Sequence, residues 1–142
     1  RSEEKNYSSP VHRYKTKTDE DFNKAIKICV ENLNIISICL GTHNEKSTLL
    51  LTSLMKKYNI QNNDNRIFFS QLLGMSDHIS YNLSKNRYNV AKYVPYGPVK
   101  EVIPYLIRRA EENTSITGQM GRELTNIIKE RNRRKKDKIT CG

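Results

Sequence analysis

Three short apolar runs, each followed by a polar break and a helical pattern, constrain the fold of this chain most strongly. The runs cover residues 35–40, 66–73 and 89–94. They are rich in β-branched and aromatic residues and show little alternation, which is typical of strands buried on both faces in a parallel sheet. Three successive strand–helix pairs predict an α/β fold made of parallel βα units.

Helical periodicity predicts the elements around these strands. Apolar residues from Phe22 to Leu33 recur at helical spacing and predict a helix over 18–33, whose start, Thr18 with Asp21, resembles a capping box. Residues 1–17 lack periodicity and are expected to form a loop. Further helices are predicted through 50–55, near 76–84, from Pro98 to about 112, and over roughly 121–136 in a basic segment.

The length of the chain bears on whether this sheet is complete. The chain has 142 residues, whereas a (β/α)8 barrel takes roughly 250. Three strands covered on both faces would leave open sheet edges, which proteins avoid. We therefore expect part of a larger barrel, and the polar start without Met resembles a cut within a longer protein.

Positive charge is concentrated near the C-terminus. Lys plus Arg is 25 and Asp plus Glu is 15, a formal charge of +10, and half of this excess lies in residues 129–138. Such a run is typical of a solvated helix end, or of a surface that attracts nucleic acid or anionic lipid. No aromatic residues interleave with it, which argues against stacking on single-stranded nucleic acid.

Several classes of protein are disfavoured by the sequence. The apolar runs are too short to span a bilayer, and no signal-peptide pattern is visible. Cys29, Cys39 and Cys141 lack CxxC spacing, which argues against a zinc site or a disulfide framework, so no metal is expected. Cys29 and Cys39 lie on apolar stripes, where cysteine is usually a small core residue.

Polar residues follow the predicted strands, where parallel βα folds bind ligands. They are Thr42, His43 and Asn44 after the first strand, residues 71–75 after the second, and Tyr93 with residues 95–98 after the third. Each cluster alone is also typical of ordinary loop and cap residues.

The helix after the third strand carries a more informative pattern. On a helical wheel of about 100° per residue, Tyr105, Arg108, Arg109 and Glu112 share an arc of about 100°. One interpretation is a solvated face with an ion pair between Arg108 and Glu112. The other is a site in which two adjacent guanidinium groups bind a carboxylate and the glutamate meets an ammonium group, as recognition of an amino or imino acid requires.

Together these segments resemble the FAD-dependent proline dehydrogenases over residues 18–134. The motifs are GTHN at 41–44, FSQLLGM at 69–75, KYVPYGP at 92–98 and YLIRRAEEN at 105–113. The resemblance implies the C-terminal half of a (β/α)8 barrel within one domain over 1–142. It comprises a loop at 1–17, barrel units at 18–120 with a substrate helix near 98–113, and a basic helix and tail at 121–142.

The resemblance also implies a role for each site residue. Arg108 and Arg109 match the pair that binds the proline carboxylate, and Glu112 matches the acid that meets the amino group. The residues that line the pyrrolidine ring are Tyr93, Tyr105 and Leu72, and those at FAD are Thr42 and His43 with Asn44 adjoining. The implied reaction passes a hydride from L-proline to FAD, gives 1-pyrroline-5-carboxylate, and sends the electrons to quinone.

The resemblance places further flavin contacts before Arg1, so no catalytic residue is expected within this chain and the N-terminal half of the barrel is an expected partner. Without it we expect the chain to be inactive. One alternative is a hydroxyproline dehydrogenase, which the resemblance disfavours because family members that act on hydroxyproline carry a smaller residue at the position of Tyr93. The other is a basic α/β module that binds nucleic acid or acidic lipid. The expected location is cytoplasmic, or peripheral at the inner membrane and mitochondrial in a eukaryote.

Overall fold

The computed structural model describes residues 11–114, 125, 128, 129 and 131–133. Along this part of the chain the elements are α1 (Lys15–Glu31), β1 (Ile38–Gly41), α2 (Glu45–Lys57), β2 (Ile67–Leu72), α3 (Asp77–Lys85), β3 (Val90–Tyr93) and α4 (Val99–Thr114). The prediction of an α/β fold with three parallel strands is therefore confirmed. β2 and β3 lie within their apolar runs, and β1 extends one residue beyond its run.

The described residues of the basic segment, 125, 128, 129 and 131–133, are helical, in agreement with the helix predicted there. The rest of the predicted segment at 121–142 lies outside the described residues. Residues 1–10 of the expected N-terminal loop lie outside them as well.

The strands form one parallel sheet in the order β1-β2-β3. Ile38 of β1 pairs with Ile67 of β2, and Phe69 of β2 pairs with Val90 of β3. Because all three strands run in the same direction, the segments that follow them meet at one edge of the sheet. We call this the carboxyl edge.

Helices cover one face of this sheet. The fully buried side chains of Ile67 and Phe69 point to that face and pack with Leu51 and Met55 of α2. The ring of Phe69 meets the ring of Tyr88 edge-on, with centroids 5.4 Å apart. This packing forms the hydrophobic core of the described part of the chain.

The opposite face of the sheet is open in this chain, so the prediction that the strands are buried on both faces is wrong here. Phe68 is 41% exposed and Tyr93 is 53% exposed on that face, and Cys39 is exposed as well, contrary to its expected core position. Cys29 does pack against the core. The open face also carries apolar residues, which hid the alternation of a strand covered on one side.

Helix α1 begins one turn earlier than predicted, so residues 15–17 are helical and the loop expected over 1–17 is wrong at those positions. Its N-cap is Tyr14, so Thr18 lies inside the helix and the predicted capping box is wrong. Salt bridges from Lys15 to Asp19 (2.8 Å) and from Lys17 to Glu20 (2.8 Å) connect residues one turn apart. Such pairs favour the additional turn, although no side-chain cap is present at Tyr14.

Candidate functional site

The loop after β1 is built around the start of α2. The side-chain oxygen of Asn44 caps this helix by accepting a hydrogen bond from the Lys46 amide at 2.9 Å. The hydroxyl of Thr42 in turn accepts a hydrogen bond from the Asn44 amide at 3.1 Å. Asn44 therefore fixes the loop geometry, and the half-buried side chains of Thr42 and His43 are held at the carboxyl edge.

The turn between β2 and α3 adopts a constrained backbone. Gly74 and Ser76 have φ values of +77° and +50°, both in the left-handed region. The hydroxyl of Ser76 lies 2.9 Å from Nδ1 of His43. Two residues further along each segment, Nε2 of His78 lies 3.0 Å from a carboxylate oxygen of Glu45. The loops after β1 and β2 are thus joined by two side-chain contacts.

Two polar residues on the helix-covered face, Gln71 and Lys92, support these loops. The sequence analysis placed Gln71 in the polar cluster at 71–75 but gave neither residue a supporting role. Gln71 is 2% exposed; its side chain accepts a hydrogen bond from the Ser80 hydroxyl at 2.9 Å and donates one to the Thr42 carbonyl at 3.5 Å. Lys92 is its neighbour on β3 in the sheet register. The available signal was a long polar side chain inside an apolar run, at a position facing the core.

Helix α4 returns over the end of β3. It begins directly after Pro98, whose carbonyl accepts the amide of Glu101 at 2.9 Å, and it continues through Pro104. The rings of Tyr93 and Tyr105 meet edge-on with centroids 6.2 Å apart. The guanidinium carbon of Arg109 lies 5.3 Å from the centroid of the Tyr105 ring.

The predicted site residues therefore fall into two groups on the same edge of the sheet. Thr42, His43 and Asn44 belong to the first loop, whereas Tyr105 contacts both Tyr93 at the third strand and Arg109 on α4. Leu72 is the register partner of Tyr93 on the open face. Arg108 follows on α4 with an exposed side chain, and Glu112 lies on α4 with its side chain outside the described residues.

Other features of the described residues lie apart from this edge. A groove of about 690 Å³ between α2 and α3 is lined by none of the predicted site residues. Among the residues that the structure describes, no group of three or more His, Cys, Asp or Glu side chains is placed to hold a metal ion. Over the same residues, no helix has both the length and the apolar character needed to cross a membrane.

The parallel βα sheet and its polar and aromatic carboxyl edge place this chain in the class of parallel α/β proteins. Proteins of this class bind their ligands at the carboxyl ends of the strands. A family model for proline dehydrogenase matches residues 1–122. The chain belongs to the proline dehydrogenase family. The recognition made from the four motifs is confirmed.

Curated relatives agree with this assignment. The chain is 38% identical over 139 residues to proline dehydrogenase 1, mitochondrial, of Dictyostelium discoideum, covering 94% of this chain and 24% of the relative. It is 41% identical over 123 residues to proline dehydrogenase 2, mitochondrial, of Arabidopsis thaliana, covering 83% and 26%. It is 34% identical over 137 residues to hydroxyproline dehydrogenase of Xenopus laevis, covering 94% and 29%. The chain thus spans about a quarter of the length of these relatives.

A solved structure with the same architecture is proline utilization A from Bdellovibrio bacteriovorus, inactivated by N-propargylglycine. It aligns with a TM-score of 0.73 and 27% identity, covering 82% of this chain and 12% of that one. The prediction that the three βα units form part of a (β/α)8 barrel is confirmed.

Proposed function

We propose that this chain is the C-terminal half of a proline dehydrogenase barrel, and that the complete barrel oxidises L-proline to 1-pyrroline-5-carboxylate. The observation that carries the proposal is the cluster of Tyr93, Tyr105 and Arg109 at the end of β3, in a chain of this family. The open face of the sheet supports it, because the interior of a complete barrel is a packed core that would cover Phe68 and Cys39.

Arg109 is the best-positioned residue for binding the substrate carboxylate. Its guanidinium lies over the Tyr105 ring, which restricts its side-chain freedom. Arg108, the preceding residue, adds a second planar guanidinium group, and two such groups can bind a carboxylate with paired hydrogen bonds. Glu112 lies one turn after Arg108 and would meet the amino group. Leu72, Tyr93 and Tyr105 would enclose the apolar ring.

The residues of the first loop fit a flavin. A hydroxyl and an imidazole, both half-buried at the carboxyl edge, are the hydrogen-bonding groups that the polar atoms of such a cofactor need. Thr42 and His43 would hold FAD, with Asn44 keeping their loop in place. Bound FAD supplies the hydride acceptor, while the protein binds, orients and desolvates the substrate.

The remaining parts of the proposal concern the whole protein. Quinone is proposed as the final electron acceptor, and the N-terminal half of the barrel as the partner that completes the flavin site. The domain division at residues 17 and 120 follows the same assignment. A mitochondrial location, with peripheral contact to the inner membrane, is proposed because the named relatives are mitochondrial. The nucleic-acid alternative is not carried further, since family membership accounts for the site.

Hydroxyproline is the second candidate substrate, because a hydroxyproline dehydrogenase is among the relatives. The large ring of Tyr93, fixed edge-on against Tyr105, leaves less space than a smaller residue would. This contact favours L-proline over its hydroxylated analogue.

The test uses the barrel-length protein, meaning this chain together with the upstream strands that complete a barrel. The protein is loaded with FAD and titrated anaerobically with L-proline while flavin absorbance is followed. We expect bleaching, and we expect Arg108→Met and Arg109→Met to weaken proline binding by about 100-fold, since each removes charge-assisted hydrogen bonds. Arg87→Met, at an exposed loop arginine, is the matched control and should bind proline normally.

Four results would contradict parts of this proposal. Unchanged proline affinity in both arginine variants refutes the carboxylate assignment. A bound flavin that L-proline does not bleach refutes the substrate, and stronger bleaching by hydroxyproline assigns the second candidate instead. Absence of flavin binding refutes the cofactor assignment.

A further inference from the structure

We propose that Lys92 is a positioning residue, which holds the turn between β2 and α3 in the conformation that the substrate and flavin sites require. The inference rests on the proposed function for its link to proline. The clamp itself, defined as the contacts of Lys92 with Leu72, Met75 and Asp77, is visible in the chain alone.

The ammonium group of Lys92 has three acceptors on one short segment. Its Nζ lies 2.7 Å from a carboxylate oxygen of Asp77, 2.8 Å from the Met75 carbonyl and 3.4 Å from the Leu72 carbonyl. A lysine ammonium has three N–H donors, so each one has a partner here. The side chains of Lys92 and Asp77 are only 22% and 24% exposed, which shields their ion pair from solvent.

The segment that Lys92 contacts needs such support. It contains two residues in the left-handed region, and one of them, Ser76, has a side chain that disfavours this conformation. Its backbone is otherwise closed by one turn hydrogen bond, from the Met75 amide to the Leu72 carbonyl at 3.1 Å. The ammonium group of Lys92 binds the carbonyls of Leu72 and Met75, the two ends of that turn. It also pairs with Asp77, the first residue of α3.

The clamp connects both halves of the proposed site. Leu72 is one of the proposed ring-wall residues, and the amide of Leu73 donates to the carbonyl of Tyr93 at 3.0 Å. At the other end of the turn, the Ser76 hydroxyl contacts His43, which is proposed to lie at the flavin. Lys92 itself lies on the helix-covered face, in register with Gln71, and so acts on the site only through the turn.

The three acceptors around Lys92 require a positively charged group at the end of a side chain of suitable length. Methionine has a similar length but no donors, so Lys92→Met would leave two carbonyls and a poorly exposed carboxylate without this partner. Arginine keeps the charge and can donate to a carboxylate and a carbonyl together, although with a different geometry. Lys85, at the exposed end of α3, is a matched control for the loss of one lysine.

The first test measures proline binding in the barrel-length holoenzyme by anaerobic flavin bleaching, together with the rate of flavin reduction at saturating L-proline. We expect Lys92→Met to retain flavin and to raise the proline dissociation constant about tenfold. The saturating rate should change much less, because Lys92 does not touch the reacting atoms. Lys92→Arg should regain most of the affinity, and Lys85→Met should match the wild type.

The second test is independent of the substrate. Hydrogen exchange of the peptide covering residues 72–77 should be at least several-fold faster in Lys92→Met than in the wild type and in Lys85→Met, because the turn opens more often. If the wild-type protein fails to respond to L-proline, the proposed function fails, and this measurement still decides whether the clamp exists.

Two outcomes overturn the proposal. One is wild-type proline affinity together with wild-type exchange at residues 72–77 in Lys92→Met. The other is loss of flavin and fold in Lys92→Met that Lys92→Arg does not reverse, because that pattern marks a purely structural lysine.

Discussion

Gln71 offers a direct test of how the buried face of the sheet supports the loop after β1. Its amide is 2% exposed, accepts a hydrogen bond from the Ser80 hydroxyl at 2.9 Å and reaches the Thr42 carbonyl at 3.5 Å. Gln71→Met keeps a similar volume and removes both interactions. It leaves the Ser80 hydroxyl with only the longer contact of 3.4 Å to the Ser76 carbonyl.

The expected cost follows from these distances. The bond to Ser80 has good geometry and is buried, so its loss is worth about 1 kcal/mol, whereas the bond to Thr42 is at the limit of hydrogen bonding and contributes less. The buried Ser80 hydroxyl would then lie against an apolar side chain, which adds to this cost. The greater hydrophobicity of Met compared with Gln offsets part of it. We therefore expect Gln71→Met to lower the free energy of unfolding by about 1–2 kcal/mol.

The assay is a double-mutant cycle with Ser80→Ala, measured by urea unfolding of the barrel-length protein. Because the two side chains share one hydrogen bond, the double variant should be less destabilised than the sum of the single variants, by about 1 kcal/mol. A coupling energy below about 0.3 kcal/mol would refute the reasoning, since the stability effects of substitutions at independent positions add to within about that amount. The flavin content of each variant reports whether the Thr42 loop has moved.

Two further predictions concern other parts of the described chain. Three hydrogen bonds from Arg66, two of them from its side chain, hold the pKa of Asp64 at about 2. Because this lies below the value of about 3.9 in an unfolded chain, Asp64→Asn should lower the free energy of unfolding by about 1 kcal/mol above pH 4, the half-exposed arginine limiting the effect. Urea unfolding should show this difference shrinking between pH 4 and pH 2, and a difference independent of pH would contradict it. Ser76→Ala and Ser76→Gly both lose the hydroxyl at His43, but only glycine adopts a φ of +50° freely, so the glycine variant should be more stable by about 1 kcal/mol. Equal thermal unfolding curves for these two variants would show that the backbone at this turn is not strained.

The order of the elements could be predicted from the sequence because each strand and helix is marked by local composition and periodicity. The strand at 66–73 is an example: its apolar run is bounded by polar residues, and β2 occupies Ile67–Leu72. The start of α1 could not be predicted equally well. Two ion pairs, each between residues one turn apart, favour a helix that begins before the apparent cap at Thr18. The assignment of Asn44 to the flavin loop remains a prediction, although the structure gives this residue a definite role as a helix cap.

The sequence by itself determined the fold class and the family, because four motifs at strand ends and on α4 are local strings of residues with a fixed order. The tertiary structure decided which face of the sheet is covered, since β2 carries apolar residues on both its helix-covered face and its open face. The sequence of the strand therefore does not distinguish the two faces. The tertiary structure also decided that Lys92 and Gln71 hold the two loops, because their partners lie on other segments of the chain. A contact of this kind depends on sheet register and on helix packing, which no single segment encodes.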